Sequence, residues 1–397
     1  MRKWAALLFF AGTAWPAMAA KSLSVEQLEQ MLDTLHGKPD AKVAQQLSEV
    51  ELEERVSPAR LARWEANSPG SRTREELTRL ADATAFQNPP AADVLRIAPP
   101  DQDTQEKMMS VAADYVKTTI TRLPNFYAKR ETIHFEDEPS RQEVVGNSAG
   151  SSGWRNRPMG MSISKSDAKP LHVKGTYSAI VTYRDGNEVH DTDKGKEPKV
   201  GEVAAGLTTS GEFGPILSVA IGDVLRGQVT WLRWEQGAVD PVAVFRYVVP
   251  ADQSNYGVGI PNAAKIDHVY PGYHGEIAID PESGAILRLS IVAELDPPYQ
   301  AMQTATMVEY ATVEIGDRSY ICPVHGVAFS KVPLAGATQD AGGSTVTVQT
   351  QLNDVTFTEY HLFASESHIV ANESGKKDAA PPAESATPAA DPVDHGK

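Results

Sequence analysis

The sequence predicts an α+β protein: a helical N-terminal region, then a large curled antiparallel sheet, half-barrel-like, with one or two packed helices. Three observations carry that prediction. Apolar residues recur at helical spacing from Ser22 to about Phe86. The period switches from 3.6 to 2 at Leu123-Pro124-Asn125-Phe126. From there to about Ile369 short alternating runs follow one another between turn residues, with a single helical interruption. A sheet of so many strands must twist and curl, and a helix lodged in the curl would cover its apolar face.

The elements follow in order. Ser24 and Gln27 form a capping-box pattern ahead of a stripe of Val25, Leu28, Met31, Leu32 and Leu35. Gly37-Lys38-Pro39 stops that helix, and a second starts at Asp40 with Val43, Leu47 and Val50 on its face. Ser57-Pro58 is a cap followed by proline at the first helical position, leading to Leu61 and Trp64. Thr73 and Glu76 give another capping box before Leu77, Leu80 and Ala81. These four short helices are too small and too polar to be expected to fold alone. The prolines between Asn88 and Pro100 make a stiff connector. A longer helix then runs from about Thr104 to Arg122, with Met108, Val111, Tyr115, Thr119 and Leu123 at helical spacing. Strands are predicted over Phe126–Phe135, Gly175–Tyr183, Val229–Trp234, Val242–Val249, Gly275–Ile279, Ala285–Ala293 and Met307–Ile315. Four more follow over Tyr320–Ile321, Val324–Phe329, Val346–Leu352 and Phe357–Phe363. Asp185-Gly186 is a hairpin turn, and Gly214–Leu225 is the one helix within the sheet region. The resulting partition is residues 1–20, an export signal; 21–98, helical; 99–371, β-rich; and 372–397, an Ala/Pro/acidic tail expected to stay disordered.

The first twenty residues pair two cations, Arg2 and Lys3, with an apolar stretch too short to span a bilayer, ending in Ala17-Met18-Ala19. Export to the periplasm or outside the cell is the expectation, with no stable membrane insertion. Acidic residues outnumber basic ones 52 to 37, for a net charge of −15. Such a field repels phosphate backbones and excludes a nucleic-acid partner. One cysteine in 397 residues excludes a disulfide scaffold and a cysteine-based zinc site. Cys322 reads as a small buried hydrophobe with an inert thiol.

The constellations that imitate chemistry have simpler explanations. Gly146-Asn147-Ser148-Ala149-Gly150 has the spacing of a nucleophile elbow, but the required strand before it and helix after it are missing. His268 and His274 straddle a turn, and His361 and His368 flank Glu366, so neither pair has metal-ligand spacing. Asp280-Pro281-Glu282-Ser283-Gly284 is a hairpin turn by composition, and Asp191 and Asp193 lie in no calcium-loop pattern. No metal, cofactor or catalytic residue is expected. Trp231 and Trp234, on a strand, would point to opposite faces.

Several blocks together resemble a family. Leu123-Pro124-Asn125-Phe126, Ser210-Gly211-Glu212-Phe213-Gly214, Val242 to Pro250, Tyr273 to Asp280, Val308-Glu309-Tyr310 and Asn353 to Phe363 are similar to a family of uncharacterised exported proteins typical of acidobacteria. That resemblance implies export and no assigned activity. More loosely, the order of elements resembles the half-barrel lipoprotein-carrier fold of the periplasm. The function expected is therefore non-enzymatic: binding an apolar ligand such as a lipid, or a partner protein, in a groove of the sheet, with Trp231, Trp234, Phe213 and Tyr247 lining it. The alternative is a structural or interaction module of the envelope, and an exported hydrolase comes third.

Overall fold

The computed structural model describes residues 21–139, 142–145, 162–165, 169–190, 207, 209, 211–261, 266–299, 302–333 and 348–363. The export segment, the Ser148 loop, Ser210, Asp191, Asp193, Glu366, His368 and the acidic tail lie outside the described residues.

The chain begins with β1 (Lys21–Leu23) and α1 (Val25–Leu35), where the capping box forms: Gln27 N–H donates to Ser24 Oγ at 3.2 Å and Ser24 N–H to Gln27 Oε1 at 3.0 Å. Then come α2 (Asp40–Ser48), β2 (Val50–Leu52), α3 (Pro58–Ala66) and α4 (Ser71–Ala83). Val50 is not on the α2 helix. It belongs to β2, which pairs in parallel with β1, two strands that the helical periodicity hid. Thr73 does not cap α4 either. Asp40 reaches over from the first turn of α2 and accepts hydrogen bonds from Thr73 N–H (2.9 Å) and Thr73 Oγ1 (2.7 Å). A carboxylate supplied by a neighbouring helix outcompetes the local box, because its charge also meets the positive end of the helix dipole. The four helices bury their own cluster, including Leu28, Leu47, Trp64, Leu77 and Leu80.

β3 (Val94–Leu95) carries the chain to the sheet edge, and α5 (Gln102–Ile120) follows, capped by Asp101, which accepts from Thr104 N–H at 2.8 Å. The buried spine of α5 is Met109, Ala112 and Val116, one residue on from the predicted stripe. Met108 and Tyr115 sit on its flanks, half-buried, and Leu123 lies beyond the end of the helix. The remaining elements are β4 (Phe126–Glu138), β5 (Gln142–Val145), β6 (Ser162–Lys165), β7 (Lys169–Arg184), β8 (Asn187–His190), α6 (Pro215–Val224), β9 (Gln228–Gln236) and β10 (Pro241–Val249). They continue with β11 (Val258–Pro261), β12 (Ile266–Val269), β13 (Gly272–Ile279), β14 (Ile286–Glu294), β15 (Gln303–Ile315), β16 (Arg318–Pro333) and β17 (Val348–Leu362). Asp185 and Gly186 both take positive φ, 51° and 83°, as the two-residue hairpin between β7 and β8 requires. The strands predicted around Cys322 and Asn353 are longer and unbroken, β16 and β17; in β16 a bulge opposite Glu309/Tyr310 absorbs the irregularity that reads as a gap.

Eleven strands form one open antiparallel sheet in the order β3-β9-β10-β13-β14-β15-β16-β17-β4-β7-β8. The fold is α+β with a curled sheet, as predicted. Alternation gives the sheet two distinct faces. On the inner face, Phe245, Tyr247, Tyr273, Ile277, Leu289 and Val308 pack against α5 and α6. On the outer face, Phe135, Met307, Val327 and Leu352 pack against Ala85 just after α4.

Candidate functional site

The four residues expected to line a groove are all on the inner side. Tyr247 is fully buried, and its hydroxyl donates to Ser290 O at 2.6 Å. Gly275 permits that packing, since a Cβ there would lie 1.9 Å from Ser290 O and 2.9 Å from the Tyr247 hydroxyl. Phe213 is buried among Phe126, Phe357 and Tyr360. Trp231 and Trp234 are half-buried and do not point to opposite faces. Trp234 pairs with Ala243 and Trp231 with Phe245, so the bulge between Val244 and Phe245 adds one residue and brings both indoles to the inner side. Their rings meet edge to face at 4.9 Å, and Trp234 Nε1–H donates to Ala98 O at 3.1 Å. Along the seam of α5, α6 and the sheet a cavity of about 20 Å³ remains, lined by Tyr115, Leu123, Phe213, Leu217 and Ile286 among others, room for about one water. Asp223, a buried carboxylate on this side, is fully engaged by Asn255 N–H, Asn255 Nδ2, Tyr273 Oη and Arg226.

The outer face carries a different kind of site. Ladder register aligns Arg233, Val244, Ala278, Arg288, Glu309 and His325 across six neighbouring strands, and Asp354 lies diagonal to His325 on the next one. The helical region closes over this row and adds Arg55 and Asp82. At one end Glu235 binds three guanidiniums: Arg55 at 2.7 Å, Arg233 at 2.6 Å and Arg288 at 3.0 Å. Burial works against its charge, but the three cations win and hold the carboxyl down at about 2. Arg233 also forks onto Glu276, at 3.2 and 2.7 Å.

At the other end, His325 Nε2 lies 2.8 Å from Asp354 Oδ1 and 3.4 Å from Asp82 Oδ1, while Nδ1 lies 3.1 Å from Glu309 Oε2. Asp82 and Asp354 are 1% and 5% exposed. Burial first, and then the Asp354 charge, pushes the Asp82 carboxyl up to about 7. Burial disfavours the His325 imidazolium, yet the hydrogen bonds to Asp354, Asp82 and Glu309 outweigh it and hold the ring well above the usual histidine range. Asp82 Oδ2 is buried and, among the described residues, has no hydrogen-bond partner. His134 is the contrasting case, a buried histidine satisfied by Asn353 at 2.7 Å and Glu136 at 3.0 Å.

The sequence contains signals for this cluster, although they are faint. Glu309 and His325 sit two residues from Met307 and Val327, which period-2 spacing places on the same outer face. Charged residues on a face otherwise built to be buried are what marks the site. No protein-family model, no curated protein and no solved structure matches this chain.

Proposed function

We propose that the mature chain acts outside the cytoplasm as a non-enzymatic interaction protein of the cell envelope, the sheet serving as platform and the helical N-terminal region and tail making the contacts. The filled interior carries this reading. Helices of the chain itself pack on both faces of the sheet, and the seam cavity of about 20 Å³ is far below the roughly 300–1,000 Å³ of small-molecule sites. Export rests on the first twenty residues, and kinship with the acidobacterial exported family is part of the same proposal. The test is crosslinking in cells followed by mass spectrometry. A stoichiometric partner crosslinked through residues 21–98 or 372–397 supports the reading. A co-purifying lipid with no crosslinked partner overturns it.

One observation favours a second reading, apolar-ligand binding in the manner of a lipoprotein carrier. Among the described residues, three side chains of α5 are buried, Met109, Ala112 and Val116, and Ala112 is small. Lifting α5 would open the seam over Ile286 and Tyr310 and widen the space beside Phe213 and above Tyr247, Trp231 and Trp234. Native mass spectrometry of protein purified from its own envelope separates the two: bound lipid supports this second reading, and lipid-free protein counts against it.

A further inference from the structure

We propose that Asp82, His325 and Asp354 form a binding site for a divalent first-row transition metal ion, which ties α4 to the sheet. One donor atom from each residue lies within 4.8 Å of the other two. Metal–ligand bonds of about 2.1 Å put neighbouring donors about 3.0 Å apart in an octahedral shell and about 3.4 Å apart in a tetrahedral one. The distances from His325 Nε2 to the two aspartates, 2.8 and 3.4 Å, already match those separations. One imidazole with two carboxylates suits zinc, manganese or iron, and thiolate ligands are not needed.

Two further observations point the same way. Glu309 stands 3.1 Å from Nδ1, on the ring nitrogen opposite the two aspartates, the usual partner of a metal-bound histidine, and a proton held there would leave Nε2 for the ion. Asp82 Oδ2, buried and unpartnered among the described residues, supplies a lone pair that would otherwise go unused. The His325 side chain is 22% exposed, so an ion can reach the site from one side while both aspartates stay enclosed. Asp82 and His325 come from different layers, so a bound ion would act as a clasp between them.

The test uses the full mature chain, stripped with chelator and titrated with Zn²⁺, Mn²⁺ or Mg²⁺ alone. One Zn²⁺ or Mn²⁺ per chain is expected, with a melting temperature higher by about 4 °C at a hundredfold excess over Kd. Asp82→Asn keeps the shape and removes a buried charge, so the stripped variant melts at or above wild type while the metal-induced rise disappears. Glu309→Gln keeps all three ligands and weakens affinity about 10- to 100-fold, with the stoichiometry unchanged. The proposal is overturned by any of three results: no Zn²⁺ or Mn²⁺ bound, a response to Mg²⁺ alone, or the same rise in Asp82→Asn as in wild type. Loss of stability in stripped Asp82→Asn, with no metal bound by wild type, would mean that the cluster is an imidazolium clamp instead.

Discussion

The two faces of the sheet are built from alternate residues of the same strands, yet they hold their covering helices by different physics. On the inner face Phe245, Tyr247, Tyr273 and Ile277 meet α5 and α6 through packed apolar volume. Asp223, a buried acid on α6 itself, has both oxygens engaged. On the outer face the helical region sits partly on apolar contacts around Phe135 and Leu352 and partly on a row of ions. Apolar packing is non-directional and contributes most of the stability. Buried ion pairs add little net stability, because desolvation offsets their attraction, but losing one partner strands the others. The inner face therefore sets how firmly the domain folds, and the outer face sets where the helical region docks.

The largest expected effect tests the first half. Phe245→Ala removes a ring that is 1% exposed and should cost about 3–5 kcal/mol, lowering the whole unfolding transition in urea. A loss under 1 kcal/mol would mean that the inner face is not the main source of stability. Next comes Glu235→Gln, which leaves Arg55, Arg233 and Arg288 facing one another. We expect about 3 kcal/mol of destabilisation, concentrated where the layers meet. Hydrogen exchange should speed up in α3 and α4 while β10 and β13 stay protected. Equal loss of protection in both regions would erase the distinction between the faces.

A smaller effect concerns pH. Glu188, at the far end of the inner side, has its carboxyl pushed up to about 7 by burial and then by the Glu212 charge. The folded state keeps a proton that the unfolded chain gives up near pH 4.5, so this contribution is full below about 4.5 and is lost as pH rises to 7. Glu235 works in the opposite sense: its contribution is present above about 4.5 and is lost as pH falls towards 2. Melting temperature followed from pH 4 to 8 should decline, and Glu188→Gln should flatten that decline. An unchanged slope in the variant would assign the decline to another group. The smallest effect is chemical. Cys322 is 1% exposed, and burial pushes its thiol up to about 12, so it should label with a thiol reagent only on unfolding. Fast labelling of native protein, or a disulfide dimer on a non-reducing gel, would contradict the packing of β16.

Much of the fold is legible in the sequence because its signals are local. Alternation marks the long strands, Asp185-Gly186 marks a hairpin, and Ser24 with Gln27 marks the first cap. What is misread depends on one extra residue or on a distant neighbour. The bulge opposite Val244 and Phe245 reverses the expected sides of Trp231 and Trp234. Asp40 caps α4 from another helix, so the local Thr73 and Glu76 pattern points to the wrong partner. The buried spine of α5 is offset by one residue because its phase is set by the helix and sheet it lands on.

By itself the sequence determines the fold class, the switch from helices to strands, a net charge of −15, and a core that must hold without an internal disulfide. Each of these follows from periodicity, composition or charge, which are properties of neighbouring or summed residues. The tertiary structure alone decided that the inner seam is filled, and that Asp82 meets His325 and Asp354 from positions far apart in the chain. Those facts depend on strand register and on which layer covers which face, and no local pattern encodes either.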